Sequence, residues 1–334
     1  MAKARGVDAK LIRLREARSL ADAELIVELR KFLGDASCLV VAAAAELAAD
    51  RKLGDLADDL ARVADRFLLD PRESDPLCQA IHALCKALNQ VEFKGEEVFL
   101  RGVRLFQQTR AWDGSVTDPA SAVRVECAFG LLRIDYRDIM YLLADLLADP
   151  EKDVRSAAAQ ALGASGKLSA VPLLRFKAKD GDAEAEVVGE CLKSLMKLEP
   201  KESLGFVVSF LKSADEEVRQ GTVFALAESK QPDIFRILKD FLPKVRDEET
   251  EEVVFLAMAM LRVPEAIDFL VGQVSRGNLE SAKRVLGALA IHKHNDDVKA
   301  RIAEAVAMAN DAGLTDRFRR KFEAKANEIV RGPS

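Results

Sequence analysis

Aromatic residues make up only 6% of this 334-residue chain, with one tryptophan and two tyrosines. So thin a supply argues against a stacking platform for nucleic-acid bases, which brings several aromatics together with Lys and Arg. A basic excess is missing as well. The chain has 50 Lys and Arg against 55 Asp and Glu, a net charge of −5 and a pI near 5.6. A general DNA or RNA binder usually shows the opposite balance. No stretch approaches the roughly 18 uninterrupted apolar residues of a membrane span. The N-terminus lacks the apolar core and small-residue cleavage site of a secretory signal. A cytoplasmic protein without a membrane span is the expectation. Runs of alternating β-branched residues, the mark of strands, are also missing.

The usual carriers of chemistry are equally scarce. There are three histidines, His82, His292 and His294. His292 and His294 are separated by one residue and would diverge on a helix. The sequence has no H-E-x-x-H, no phosphate-binding G-x-x-x-x-G-K-[ST] and no G-x-S-x-G. The five cysteines are an odd number without a C-x-x-C. Free cysteine is a good small core residue, and a reduced packing role is expected for all five. No catalytic, metal-binding or cofactor-binding residue is expected, and no cofactor.

What the chain has instead is repetition. Asp118-Pro119-Ala120-Ser121-Ala122-Val123-Arg124 returns as Asp149-Pro150-Glu151-Lys152-Asp153-Val154-Arg155, 31 residues on. A fixed period of this size marks a repeat architecture. Asp before Pro reads as a helix start, an N-cap followed by the residue best tolerated in a first turn. Val154, Ala158, Ala161 and Leu162 then recur at helical spacing, so one stripe faces a core. An amphipathic segment at 136–148 precedes the second copy, and the unit reads helix, tight turn, helix. Aligning Val187, Val218 and Val253 with Val154 gives successive spacings from Val123 of 31, 33, 31 and 35. Matching first helices are predicted at 168–179, 200–212, 232–244 and 264–275. Cys85, Cys127 and Cys191 share the position of Ala158. Upstream, Leu39, Ala43 and Leu47 carry a weaker copy, and Ile81 another.

The pattern D-P-x-x-x-V-R-x-x-A-x-x-A-L-G resembles the short HEAT repeat, the type also found in phycobilin lyases. The resemblance implies an all-α, right-handed superhelical solenoid of about eight helix pairs. A solenoid core grows in one dimension and need not split into separate domains. The layout expected is a basic leading helix over 1–22, degenerate repeats over 23–117 with an irregular insertion near 90–117, regular repeats over 118–295 and capping helices over 296–334. The insertion carries the single tryptophan, Trp112, either as a cover for an exposed repeat edge or as part of a functional loop. The resemblance also makes Asp118, Arg124, Asp149, Arg155 and Arg219 a structural ladder between neighbouring units. Val188 and Val254 would interrupt it.

HEAT-like folds include enzymes, and the residues argue against each. Deoxyhypusine hydroxylases hold iron with His-Glu pairs, of which this sequence has none. HEAT-like DNA glycosylases use a basic, aromatic-lined face with a catalytic Asp. Trp112-Asp113 is the only comparable pair, in an acidic chain. The alternatives kept are a phycobilin-lyase-like enzyme subunit, on the repeat consensus alone, and a HEAT-like DNA glycosylase or nucleic-acid binder.

The expected function is therefore non-enzymatic: a scaffold or adaptor that grips a protein or peptide on its concave face. In HEAT-type repeats the second helices line that face. Mapping the register places Val125, Phe129, Leu192, Val223, Phe224, Phe255 and Met258 outward, into the groove. An apolar patch of that kind usually marks an interaction site. The competing reading buries these residues between repeats. The acidic turn 247–252 would rim one edge and favour a basic segment.

Overall fold

A computed structural model describes residues 2–110 and 113–323. Trp112 and the C-terminal stretch from 324 onward lie outside the described residues. Within them the chain forms twenty α-helices, a few 3-10 turns and one two-residue hairpin. It divides into two compact units, 1–170 and 171–334.

The first unit opens with α1 (Ala2–Ala17), which seats Leu14 and Ala17 on α3. Four helix pairs follow: α2 (Asp22–Leu33) with α3 (Cys38–Asp50), α4 (Ala57–Leu69) with α6 (Gln79–Gln90), α7 (Glu97–Gly102) with α8 (Ser121–Arg133), and α9 (Ile139–Leu146) with α10 (Lys152–Ala164). A single turn, α5 (Pro71–Ser74), links α4 to α6. The local chemistry of α4 is representative. Asp58 and Asp59 sit in its first turn and Arg66 in its last, each matched to the helix dipole. Leu60, Ala61, Ala64 and Phe67 form its buried stripe. Pro71 then prevents the helix from continuing.

The second helices α3, α6, α8 and α10 stack in sequence. Small residues make that possible: the buried residues of α3 are Val40, Val41, Ala44, Ala45, Leu47, Ala48 and Ala49. Leu39, expected on this face, is exposed instead, so the stripe starts one residue later. Gly130 of α8 is required by close approach. A Cβ there would lie 2.6 Å from the buried Phe99 ring.

The stretch expected to be irregular contains α7 and a hairpin pairing Thr109 with Thr117 and Arg110 with Val116. It is pinned inward. Gln107 is buried, and its side-chain amide donates to the carbonyls of Asp75 and Pro76 at 3.1 and 2.8 Å.

The second unit repeats the plan: α11 (Ala170–Asp180) with α12 (Ala185–Leu198), α13 (Pro200–Ser209) with α14 (Glu216–Glu228), α15 (Ile234–Phe241) with α16 (Glu248–Leu261), and α17 (Pro264–Arg276) with α18 (Leu279–Leu289). Here α12, α14, α16 and α18 stack in order. α19 (Asp296–Ala309) then packs on α17, and α20 (Ala312–Phe318) on α18. The side chains of Asn295 and Asp311 cap these two closing helices. No helix among the described residues is long and apolar enough to cross a membrane.

Candidate partner-binding face

Helix caps fix the register of the second helices. Asp215 accepts from the Val218 amide, Asp247 from the Thr250 amide and Asn278 from the Ser281 amide. Each cap sits three residues before the first buried position of its helix. Counted from that position, residues four, five, seven and eight further on are buried throughout. In α14 they are Thr222, Val223, Ala225 and Leu226. In α16 they are Val254, Phe255, Ala257 and Met258. Thr250 therefore takes the place of Val218, and Val253 does not. The spacings from Val123 through Ser281 become 31, 33, 31, 32 and 31, tighter than apolar matching gives.

This corrects the groove. The buried arc is about 160° wide at 3.6 residues per turn, because each second helix packs on both neighbours and on its own first helix. Leu192, Val223, Phe255 and Met258 were expected to face outward; all lie in the core, none more than 1% exposed. Val125, Phe129 and Phe224 do sit on the outward arc, each half-buried. Two residues missed from the sequence join them in the second unit, Val253 and Leu256. The signal that finds them is the Asp247 cap, not hydrophobicity, since the true first position is a threonine.

The helix starts also differ from expectation. Asp118 and Asp149 lie upstream of their helices, whose N-cap residues are Ala120 and Glu151. Their carboxylates accept from the Ala120 and Glu151 amides at 3.0 and 2.9 Å. Asp118 also accepts from the Gln107 amide at 3.0 Å, and both carboxylates bind Arg124. This guanidinium is fully buried. It donates to Asp118 at 2.7 Å, to both Asp149 oxygens at 2.9 Å and to the Leu105 carbonyl at 2.8 Å. Phe106 stacks against it, 4.1 Å from ring centre to guanidinium carbon. Arg155 binds the Asp149 and Pro150 carbonyls, both at 2.8 Å.

In the second unit Arg219 reaches Asp247 of the next repeat at 3.3 Å. The following rung changes chemistry. Glu251 occupies the arginine position and accepts from Arg284 at 2.6 Å. Val254 is a core residue and not a ladder position.

Asp247 thus caps α16 and closes a rung. Partial burial opposes its ionised form, but hydrogen bonds from Thr250 and Glu216 win and hold the carboxyl down to about 2. A depressed folded-state pKa stabilises above the ordinary aspartate value and loses that contribution as pH falls. Asp247→Ala should cost about 1 kcal/mol near neutrality. The gap from wild type, read from urea midpoints, should close as pH drops from about 4 towards 2.

Around Phe224 lies an open cavity of about 780 Å³ between the starts of α12, α14 and α16. Its walls carry Glu186, Asp215, Glu216, Glu217 and Glu249, with Gln220 and no Lys or Arg. Glu216 is pushed up in pKa, first because its protonated form hydrogen-bonds Asp247, and further by the charges of Asp247 and Glu249. Glu190, on the same face of α12, is pushed up by burial and by Glu228 and Glu186, against Lys193. Neighbouring carboxylates raise both groups, with Lys193 opposing at Glu190 and Arg219 at Glu216. The α12 and α14 backbones approach closely here, with a Cβ on Gly221 only 3.3 Å from the Gly189 Cα.

The cysteines follow the packing reading where they share the repeat position. Cys85, Cys127 and Cys191 are fully buried, and the Cys85 and Cys127 sulfurs are 3.6 Å apart. Burial pushes the Cys191 thiol up to about 12. His292 binds the Ala259 carbonyl at 2.9 Å, and His82 stands 4.0 Å from Glu126. Among the described residues no group of three or more His, Cys, Asp or Glu is placed to hold a metal ion.

Residues 113–195 match the family model for HEAT repeats. No curated protein sequence matches the chain. Among solved structures, an engineered protein is similar over 95% of this chain and 94% of its own, at 19% identity and a TM-score of 0.36. The CpcE–CpcF complex of phycocyanin lyase from Nostoc sp. PCC7120 is similar over 75% of this chain and 93% of that one, at 16% identity and a TM-score of 0.38. Human deoxyhypusine hydroxylase is similar over 77% and 96%, at 19% identity and a TM-score of 0.32.

Proposed function

Starting from a chain built of HEAT repeats, we propose that it is a non-catalytic scaffold whose second-helix face, in the second unit, grips a basic amphipathic segment of another protein. The observation that carries this reading is the cavity around Phe224. An apolar side chain stands half-exposed in a cavity whose lining includes five carboxylates. Charge of one sign around an apolar anchor suits a partner helix with Lys or Arg flanking a hydrophobic stripe. Val253 and Leu256 extend the apolar strip along α16. The Arg–Asp ladder serves the stacking of repeats and takes no part in recognition.

A labelled amphipathic Lys/Leu peptide is a direct probe. Wild-type protein should bind it at low salt and release most of it at high salt, since exposed charges are screened within about 10 Å at 0.1 M. Phe224→Ser should weaken binding about tenfold, and Glu216→Lys/Glu217→Lys should abolish the salt dependence. Both variants alter residues outside the core, so helicity should be unchanged. Unaltered peptide affinity in both would rule the face out.

A further inference from the structure

The first helices of the second unit meet along seams, and two of those seams are bridged by the same device. Leu174, Val207, Leu238 and Leu270 are equivalent buried residues of α11, α13, α15 and α17. The residue after Leu174 is Arg175, whose guanidinium lies over Phe206, the residue before Val207, at 4.1 Å. The residue after Leu238 is Lys239, which lies over Phe269, the residue before Leu270, at 5.4 Å. A cation on one first helix thus covers a phenyl ring on the next and bridges the seam, although a cavity of about 500 Å³ remains beside the Arg175–Phe206 pair.

Between α13 and α15 the same two positions are Val208 and Ile237, too short to bridge. A cavity of about 570 Å³ opens there. That size falls within the ~300–1,000 Å³ of small-molecule sites, which are mainly apolar with a few polar groups at the edge. Its floor is Val208, Leu211, Ile237, Phe241 and Val245. Its rim carries Lys212, Lys244 and Arg246, none of which has an ion-pair partner among the described residues, against one such acid, Asp240. Arg219 also touches the cavity, but its charge is matched by Asp247.

We infer that this cleft binds a small anionic amphiphile: an apolar chain or ring that replaces the missing cation–ring pair, bearing one carboxylate or similar acid that meets the lysines at the rim. The apolar floor would bury the body and remove it from water. The excess of cations selects the sign of the head group. The site lies on the first-helix seam, apart from the acidic cavity around Phe224, and its success or failure says nothing about that cavity.

Octanoate, octanol and octylamine separate the two contributions. Titrated into the whole protein and followed by calorimetry, octanoate should bind, octanol more weakly, and octylamine least. Lys212→Glu/Lys244→Glu should lower octanoate affinity about tenfold and reverse the preference towards octylamine. Val208→Arg/Ile237→Phe copies the Arg175–Phe206 pair into the open seam. It should abolish binding of all three compounds while keeping the thermal midpoint at or above wild type. Equal binding of the three compounds, or octanoate binding that survives the copied pair, would overturn the proposal. So would capture of an acidic, leucine-containing peptide by a cleft that takes none of the octyl compounds, which would make the site one for a protein segment.

Discussion

Replacing Arg124 with methionine should destabilise the first unit by about 3–5 kcal/mol. The side chain is fully buried, and its partners Asp118 and Asp149 are nearly so. Methionine fills most of the volume but removes every donor, leaving two carboxylates facing each other out of water. Urea unfolding of Arg124→Met at neutral pH checks the loss. Arg124→Met combined with Asp118→Asn and Asp149→Asn should regain part of the loss, because no uncompensated charge remains. A loss under about 1 kcal/mol would show the buried rung to be energetically idle.

Phe255→Ala should cost about 3–5 kcal/mol, the range for removing a buried phenyl ring. Phe255 is 1% exposed and lies five residues beyond Thr250 on the packed arc of α16. Phe224→Ser, on the outward arc of α14, should cost about 1 kcal/mol or less. The contrast is the sharpest check on the register. Equal losses for the two would place both rings in the same environment. Paired chemical melts of the two variants, with helicity followed by circular dichroism, give the comparison.

That pair also shows what was legible beforehand. The helix–turn–helix period, the number of pairs and the burial of Cys85, Cys127 and Cys191 followed from small apolar residues at regular spacing. Apolar matching failed where a repeat uses a polar first position. Thr250 and Ser281 are buried at that position. Choosing Val253 instead turned the α16 face by three residues, so two core residues, Phe255 and Met258, were read as groove. A cap three residues upstream, Asp247 or Asn278, preserves the register when hydrophobicity does not.

The candidate site was legible only in part for a second reason. Whether the position five beyond the first is covered depends on how closely neighbouring helices pack, and no single helix records that. The unfilled seam between α13 and α15 was likewise invisible, since it is defined by a pairing between residues about thirty positions apart.

The meeting of Gly189 and Gly221 has a consequence for how the second-helix layer can vary. Two hydrogen atoms set the distance between α12 and α14, where elsewhere side chains do. Adding one methyl to Gly221 would press against the Gly189 Cα at 3.3 Å, and the neighbouring backbone would have to give by a few tenths of an ångström. The mouth beside Phe224 would widen by that displacement, with its charges and its caps untouched. If the proposed face holds a helix, its preference for a thicker or thinner one is set by this backbone separation.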